Sequence, residues 1–170
     1  MQLDPQNYLI RINLALFLHA ARRFDEAIAA AQDAKALKPE GTQIANVIFS
    51  SRLALGQTEV AKQMCESPAT PIDESDRHRC LALAYHAPGR QKDAEGEMMK
   101  LQALDGDSGA YEYAEVYAQW GNATAALDWL TTAERLYDMN LQGLKNSWKL
   151  DPIRGDPRFK AIEKRMNYPP

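Results

Sequence analysis

Apolar residues recur at three- and four-residue steps along most of the chain, the period of a helix rather than a strand. Leu9, Ile12, Leu16 and Ala20 form one such series, and Leu14 and Leu18 a second on the same segment. A turn follows, after which a new series runs through Ala27, Ala31, Ala34 and Leu37. The same succession of helix, turn and helix then returns. Four turn segments, RRFDEA, GQTEVA, GRQKDA and GNATAA, end on Ala27, Ala61, Ala94 and Ala126, which are spaced by 34, 33 and 32 positions. A repeat of this length predicts stacked supersecondary units, each too small to bury its apolar face alone.

The punctuation agrees with the period. Gly56, Gly89 and Gly121 fall between the paired helices, where a residue that tolerates positive φ ends one helix and lets the chain reverse. Pro39 closes the first unit, because proline cannot continue a helix interior. The four turn alanines sit early in each second helix, where a larger side chain would hold the two helices apart. In the second unit Pro68 and Pro71 predict a shortened second helix and a longer connection.

Beyond Ala133 the regularity fades, but Leu136, Met139, Leu141, Leu144 and Trp148 still predict an apolar helix face that caps the array. Asp156-Pro157 predicts the start of a last helix, which Phe159, Ile162 and Met166 dock.

Composition narrows the function. A chain of 170 residues, 45% hydrophobic and 25% charged, is that of one ordinary globular domain. With 20 Lys and Arg against 23 Asp and Glu, the net charge of −3 offers no footprint for a phosphate backbone, so nucleic acid is not expected as a partner. No apolar run approaches the roughly 20 residues that cross a bilayer, and no secretory leader is visible, so no membrane partner is expected and the cytoplasm is the expected location. In that compartment Cys65 and Cys80 are expected as reduced thiols, with one disulfide as the alternative.

Chemistry is sparse. His78, Cys80 and His86 lack the three- or four-residue steps that place metal ligands on one helix face, and core or surface roles fit them better. No GxSxG elbow or phosphate-cradling loop occurs, so neither a catalytic residue, a metal site nor a cofactor is expected. Asp25-Glu26, Asp73-Glu74 and Asp93 are read as helix-start carboxylates that complement the dipole. Tyr113, Tyr117 and Trp120 are read as core, and Tyr111 as the aromatic that faces a partner.

These units resemble the tetratricopeptide repeat. Residues 8–41 are similar to one full copy, with Leu14-Ala15, Leu18, Phe24, Ala27, Ala34 and Pro39. Residues 75–106 resemble another, with Leu81-Ala82, Tyr85, Gly89 and Ala94, and residues 107–138 a third, with Tyr113-Ala114, Tyr117, Gly121, Ala126 and Ala133. Residues 42–74 are the poorest match, carried by Ile48-Phe49, Gly56 and Ala61. The resemblance implies an all-α, right-handed α-solenoid of antiparallel helix pairs, a single domain over 1–170 with capping helices at 139–167.

It also implies a protein-interaction scaffold, not itself an enzyme, that holds a partner's peptide or helix in a concave groove. Carried over position by position, the groove is Leu9, Ile12, Asn13 and Leu16; Asn46, Val47 and Ser50; Arg79 and Leu83; and Tyr111, Glu112 and Glu115. The subtype that clamps a carboxylate tail is set aside, because Ile12 and Leu16 stand where it needs Lys and Asn. The partner is expected to be another protein or the rest of the same chain, with a homodimer as a further reading.

Leu3-Asp4-Pro5 is read as the last turn of an earlier repeat, since Pro5 precedes Pro39 by 34 positions, or else as a simple lead-in. The segment LDPIRGDPRFKAIEKRM resembles the close of tetratricopeptide arrays that follow bacterial signalling modules, such as class III adenylate cyclases and winged-helix regulators. That resemblance implies the alternative of a regulatory or dimerising tail whose catalytic or DNA-binding module lies before residue 1.

Overall fold

The computed structural model describes residues 7–86 and 89–166, and among them every regular element is helical. The reading of Leu3-Asp4-Pro5 and the last position of the expected cap fall outside the described residues. Eight α-helices form four consecutive hairpins: α1 Tyr8–Ala20 with α2 Phe24–Leu37, α3 Thr42–Ala54 with α4 Thr58–Glu66, α5 Glu74–His86 with α6 Gln91–Asp105, and α7 Ala110–Gln119 with α8 Ala123–Arg135. A ninth, α9 Pro157–Arg165, ends the described chain. Helices within a hairpin pack on each other, and the first helices also touch in series, α1 on α3, α3 on α5 and α5 on α7.

Local chemistry sets the boundaries. Asn7 accepts a hydrogen bond from the Leu9 N–H at 2.9 Å, Asn122 from Ala125 at 3.1 Å, and Asp156 from Arg158 at 2.7 Å, each satisfying a free donor at a helix start. Asp73 does the same for Asp76 N at 2.8 Å, as expected of that carboxylate. The hairpin turns pass through the left-handed region at Gly56, Gly89 and Gly121, with φ of 72°, 77° and 74°. In the first hairpin that conformation falls to Arg22, with φ 62°, where a side chain costs strain.

The alanine pattern works as packing. Ala27, Ala61, Ala94 and Ala126 are all fully buried, so each hairpin closes on a methyl group. Around them the core runs the length of the molecule, from Ile12, Ile44 and Val47 through Phe49 and Leu81 to Met98, Leu101 and Tyr113. It ends in a cluster in which Leu127 and Leu130 meet Leu141, Leu144, Leu150, Ile153, Phe159 and Ile162.

Two expectations change and one holds. The cap over 139–153 is not α-helical: it is two 3-10 segments, Met139–Gly143 and Trp148–Ile153, the second containing Pro152. Leu141, Leu144, Leu150 and Ile153 still reach the core from these tight turns, whereas Leu136 and Met139 are left 40% and 77% exposed. The cysteines are not reduced thiols. Cys65 and Cys80 are joined by a disulfide that fastens α4 to α5, and neither is solvent-exposed. As Pro68 and Pro71 predict, α4 is short at nine residues, and Arg77 holds the connection after it through the carbonyls of Cys65, Ser67 and Thr70.

Candidate partner-binding cup

Three of the first helices and the segment after α8 together line an open cup. Leu16 and His19 come from the end of α1, Arg79 from the middle of α5, and Tyr111, Glu112 and Glu115 from α7. The irregular segment 139–149 forms the far wall, and together these enclose a cavity of about 460 Å3. The segment after α8 is also tied back to the first hairpin. Arg22 donates two hydrogen bonds to Asp151, at 2.6 and 2.7 Å, across 129 positions of chain. Beside them the Phe24 and Trp148 rings meet edge to face, 6.5 Å between centres.

The cup floor is a polar network. Glu115 accepts from Lys149 Nζ at 2.9 Å and from Ser147 Oγ at 2.5 Å, both partners arriving from the cap. Burial opposes ionisation of this carboxyl, but Lys149, Arg79 and the Ser147 hydroxyl outweigh it and hold Glu115 below the usual carboxylate range. His19 Nδ1 lies 2.8 Å from Ser51 Oγ. Burial, with Lys149 nearby, pushes His19 down to about 4, so the ring is neutral at physiological pH. Ser51 is fully buried, which makes its hydroxyl a partner for the ring and not an available nucleophile.

Next to the cup a smaller cavity of about 150 Å3 is lined by Asp73, Asp76, Asp105 and Glu112, with Arg79 between the two spaces. Arg79 donates from Nη2 to Asp76, while its buried Nε has no acceptor among the described residues. Asp76 also accepts from Asn46, and Ser75 donates to Asp105 at 2.6 Å. Burial pushes the Asp76 and Glu112 carboxyls up; Arg79 opposes this in both, and neighbouring carboxylates add to it.

Of the expected groove positions, Leu16, Arg79, Tyr111, Glu112 and Glu115 meet in the cup. Others do not. Ile12, Val47 and Leu83 are 1%, 4% and 8% exposed and belong to the core, because they face the hairpin interior on their helices. Asn46 and Ser50 turn inward to Asp76 and His19, whereas Leu9 and Asn13 lie exposed outside the cup. Tyr111 is on the lining but only 5% exposed, so it shapes the wall more than it projects. The core reading of Tyr113 stands: it is fully buried, with Trp129 edge-on at 4.9 Å, and Tyr117 and Trp120 pack against the same cluster.

His19, Ser147 and Lys149 were not anticipated from the sequence. The signal that finds them is the period itself. Glu115 and Lys149 are 34 positions apart, Glu115 and Ser147 32, His19 and Ser51 32. His19 and Ser51 lie side by side on adjacent hairpins, and Ser147 and Lys149 meet α7 from the segment that follows the last hairpin.

Among the described residues no group of three or more His, Cys, Asp or Glu is arranged to hold a metal ion, and no helix is long and apolar enough to cross a membrane. His78 bonds Glu97 at 2.5 Å, His86 stacks on Trp120, and Cys80 is in the disulfide. No family model, curated protein or solved structure matches the chain.

Proposed function

We propose that the chain is a tetratricopeptide-type right-handed α-solenoid that works as a protein-interaction scaffold, holding a peptide or helix of another protein, or of its own longer chain, on the concave side. The observation that carries this reading is the convergence of Leu16, Arg79, Tyr111, Glu112 and Glu115, from three separate helices, on one cavity. In this reading the chain is not an enzyme, and Glu115, Lys149, Ser147 and His19 serve to hold its helices together. Cytoplasmic residence belongs to the same reading, and the buried disulfide sets its test, since such bonds persist most readily in oxidising compartments. Fractionation with thiol trapping in intact cells decides it.

A photo-crosslinking residue placed at Leu16, 41% exposed at the cup, should yield a protein adduct in cells. One at Lys160, exposed on α9, should not. Equal adducts at both positions, or none at Leu16, sink the groove reading.

The alternative of a dimerising or regulatory tail of a signalling enzyme, such as an adenylate cyclase, is favoured by a different face. Ile10, Leu14 and Phe17 follow one another along α1 and are 39%, 47% and 75% exposed. A helix apolar on nearly all sides is normally covered. Light scattering of Phe17→Asp against the parent chain tests it: a dimer that becomes a monomer supports self-association.

A further inference from the structure

The cup and its smaller neighbour differ in charge, and the difference selects a ligand. In the cup Glu115 is matched by Lys149, and His19 carries no charge. In the smaller cavity four carboxylates, of Asp73, Asp76, Asp105 and Glu112, face a single cation, Arg79. Arg79 pairs through Nη2 with Asp76, so it offsets one of the four carboxylates and leaves the others without a facing cation in the cavity. On the cup side, Leu16 and Met139 present apolar surface, 41% and 77% exposed.

We infer that the concave side takes a basic segment of a partner protein, with a lysine or arginine side chain in the Asp73, Asp76, Asp105 and Glu112 cavity and an adjacent apolar residue against Leu16 and Met139. The inference rests on the scaffold reading above and specifies its partner. A cavity of about 150 Å3 admits one long cationic side chain and little more. Its arrival supplies the positive charge that Arg79 alone does not, and the raised Asp76 and Glu112 carboxyls are drawn back to their ionised forms. An acidic segment would meet unmatched carboxylates at the same place, a repulsive element that discriminates between partners.

Two short fluorescein-labelled peptides that differ only in carrying lysines or glutamates between the same leucines and serines provide the test, by fluorescence anisotropy. The lysine peptide should bind, and should weaken as salt is raised, because exposed charge pairs are screened. Glu112→Gln keeps the acceptor that Asn140 uses at 2.9 Å and should weaken binding roughly tenfold, the worth of one charged hydrogen bond. Asp105→Asn should act in the same direction, and Asp25→Asn on α2 should leave affinity unchanged. Circular dichroism of each variant keeps misfolding apart from lost binding. Equal binding of the glutamate peptide, equal loss with Asp25→Asn, or indifference to both cavity variants overturns the basic-segment inference while leaving the scaffold reading in place. Spermidine competing as well as the peptide overturns it in favour of a free polyamine. Failure of both peptides together with no adduct at Leu16 removes both readings.

Discussion

Arg22 and Asp151 form a bidentate ion pair between the α1–α2 turn and the segment after α8, and Arg22 does so from a left-handed backbone conformation that the other three hairpin turns assign to glycine. The two effects oppose each other. A left-handed non-glycine residue costs about 1–2 kcal/mol, whereas an exposed ion pair contributes about 0.2–1 kcal/mol. Arg22→Gly should therefore leave thermal stability unchanged or slightly higher while releasing that segment. Small-angle scattering should show a larger radius of gyration for this variant and for Asp151→Asn; unchanged dimensions in both would mean the ring contact of Phe24 and Trp148 holds the segment without the ion pair.

A buried pair behaves differently. Glu115 and Lys149 have side chains only 6% and 9% exposed, so removing one partner strands a charge in the interior. Lys149→Met should destabilise by about 3–5 kcal/mol, read by denaturant unfolding, and the double variant with Glu115→Gln should recover much of that loss. A single variant as stable as the parent would show that water reaches the pair.

Joining α4 to α5, the Cys65–Cys80 bond closes a loop of 15 residues, for which chain entropy gives about 3 kcal/mol. The Cys65→Ala, Cys80→Ala double variant should be less stable by about that amount in denaturant unfolding. Because both sulfurs are buried, the folded parent should resist reduction under native conditions and yield free thiols only when unfolded. Thiol labelling with and without denaturant measures this directly; labelling without denaturant would contradict it.

His19 makes stability depend on pH. Its pKa in the fold, about 4, lies below the value of 6.5 for the unfolded chain, so the unfolded state takes up the proton first. The stability His19 allows is fully present above 6.5 and is lost as pH falls from there towards 4, by at most about 1.4 kcal/mol per pH unit. His19→Gln should flatten the pH dependence of the unfolding midpoint in this window, and an unaltered profile in the variant would assign the dependence elsewhere.

Much of the architecture was legible along the chain because helix period, turn glycines and small alanines are local signals. They place the four hairpins and the shortening of α4 without reference to any distant residue. The candidate cavity was less legible. Position within a repeat picks out Leu16, Arg79, Tyr111, Glu112 and Glu115, which line one cavity, together with Ile12, Val47 and Leu83, which the structure buries, because period alone does not fix which way a helix is turned about its axis. Apolar spacing alone predicts a helix for the cap. Asp138 accepting from Asn140, together with Gly143 and Pro152, instead gives tight turns that deliver the same leucines.

By itself the sequence determined that the chain is helical, where each hairpin turns and which alanines lie at the close contacts, because each depends on neighbours within a few residues. Only the tertiary structure decided that Arg22 meets Asp151, that Lys149 lies beneath Glu115 and that Cys65 bonds Cys80. Those pairings join residues 15, 34 and 129 positions apart, and only the packing of helices against one another brings such residues together.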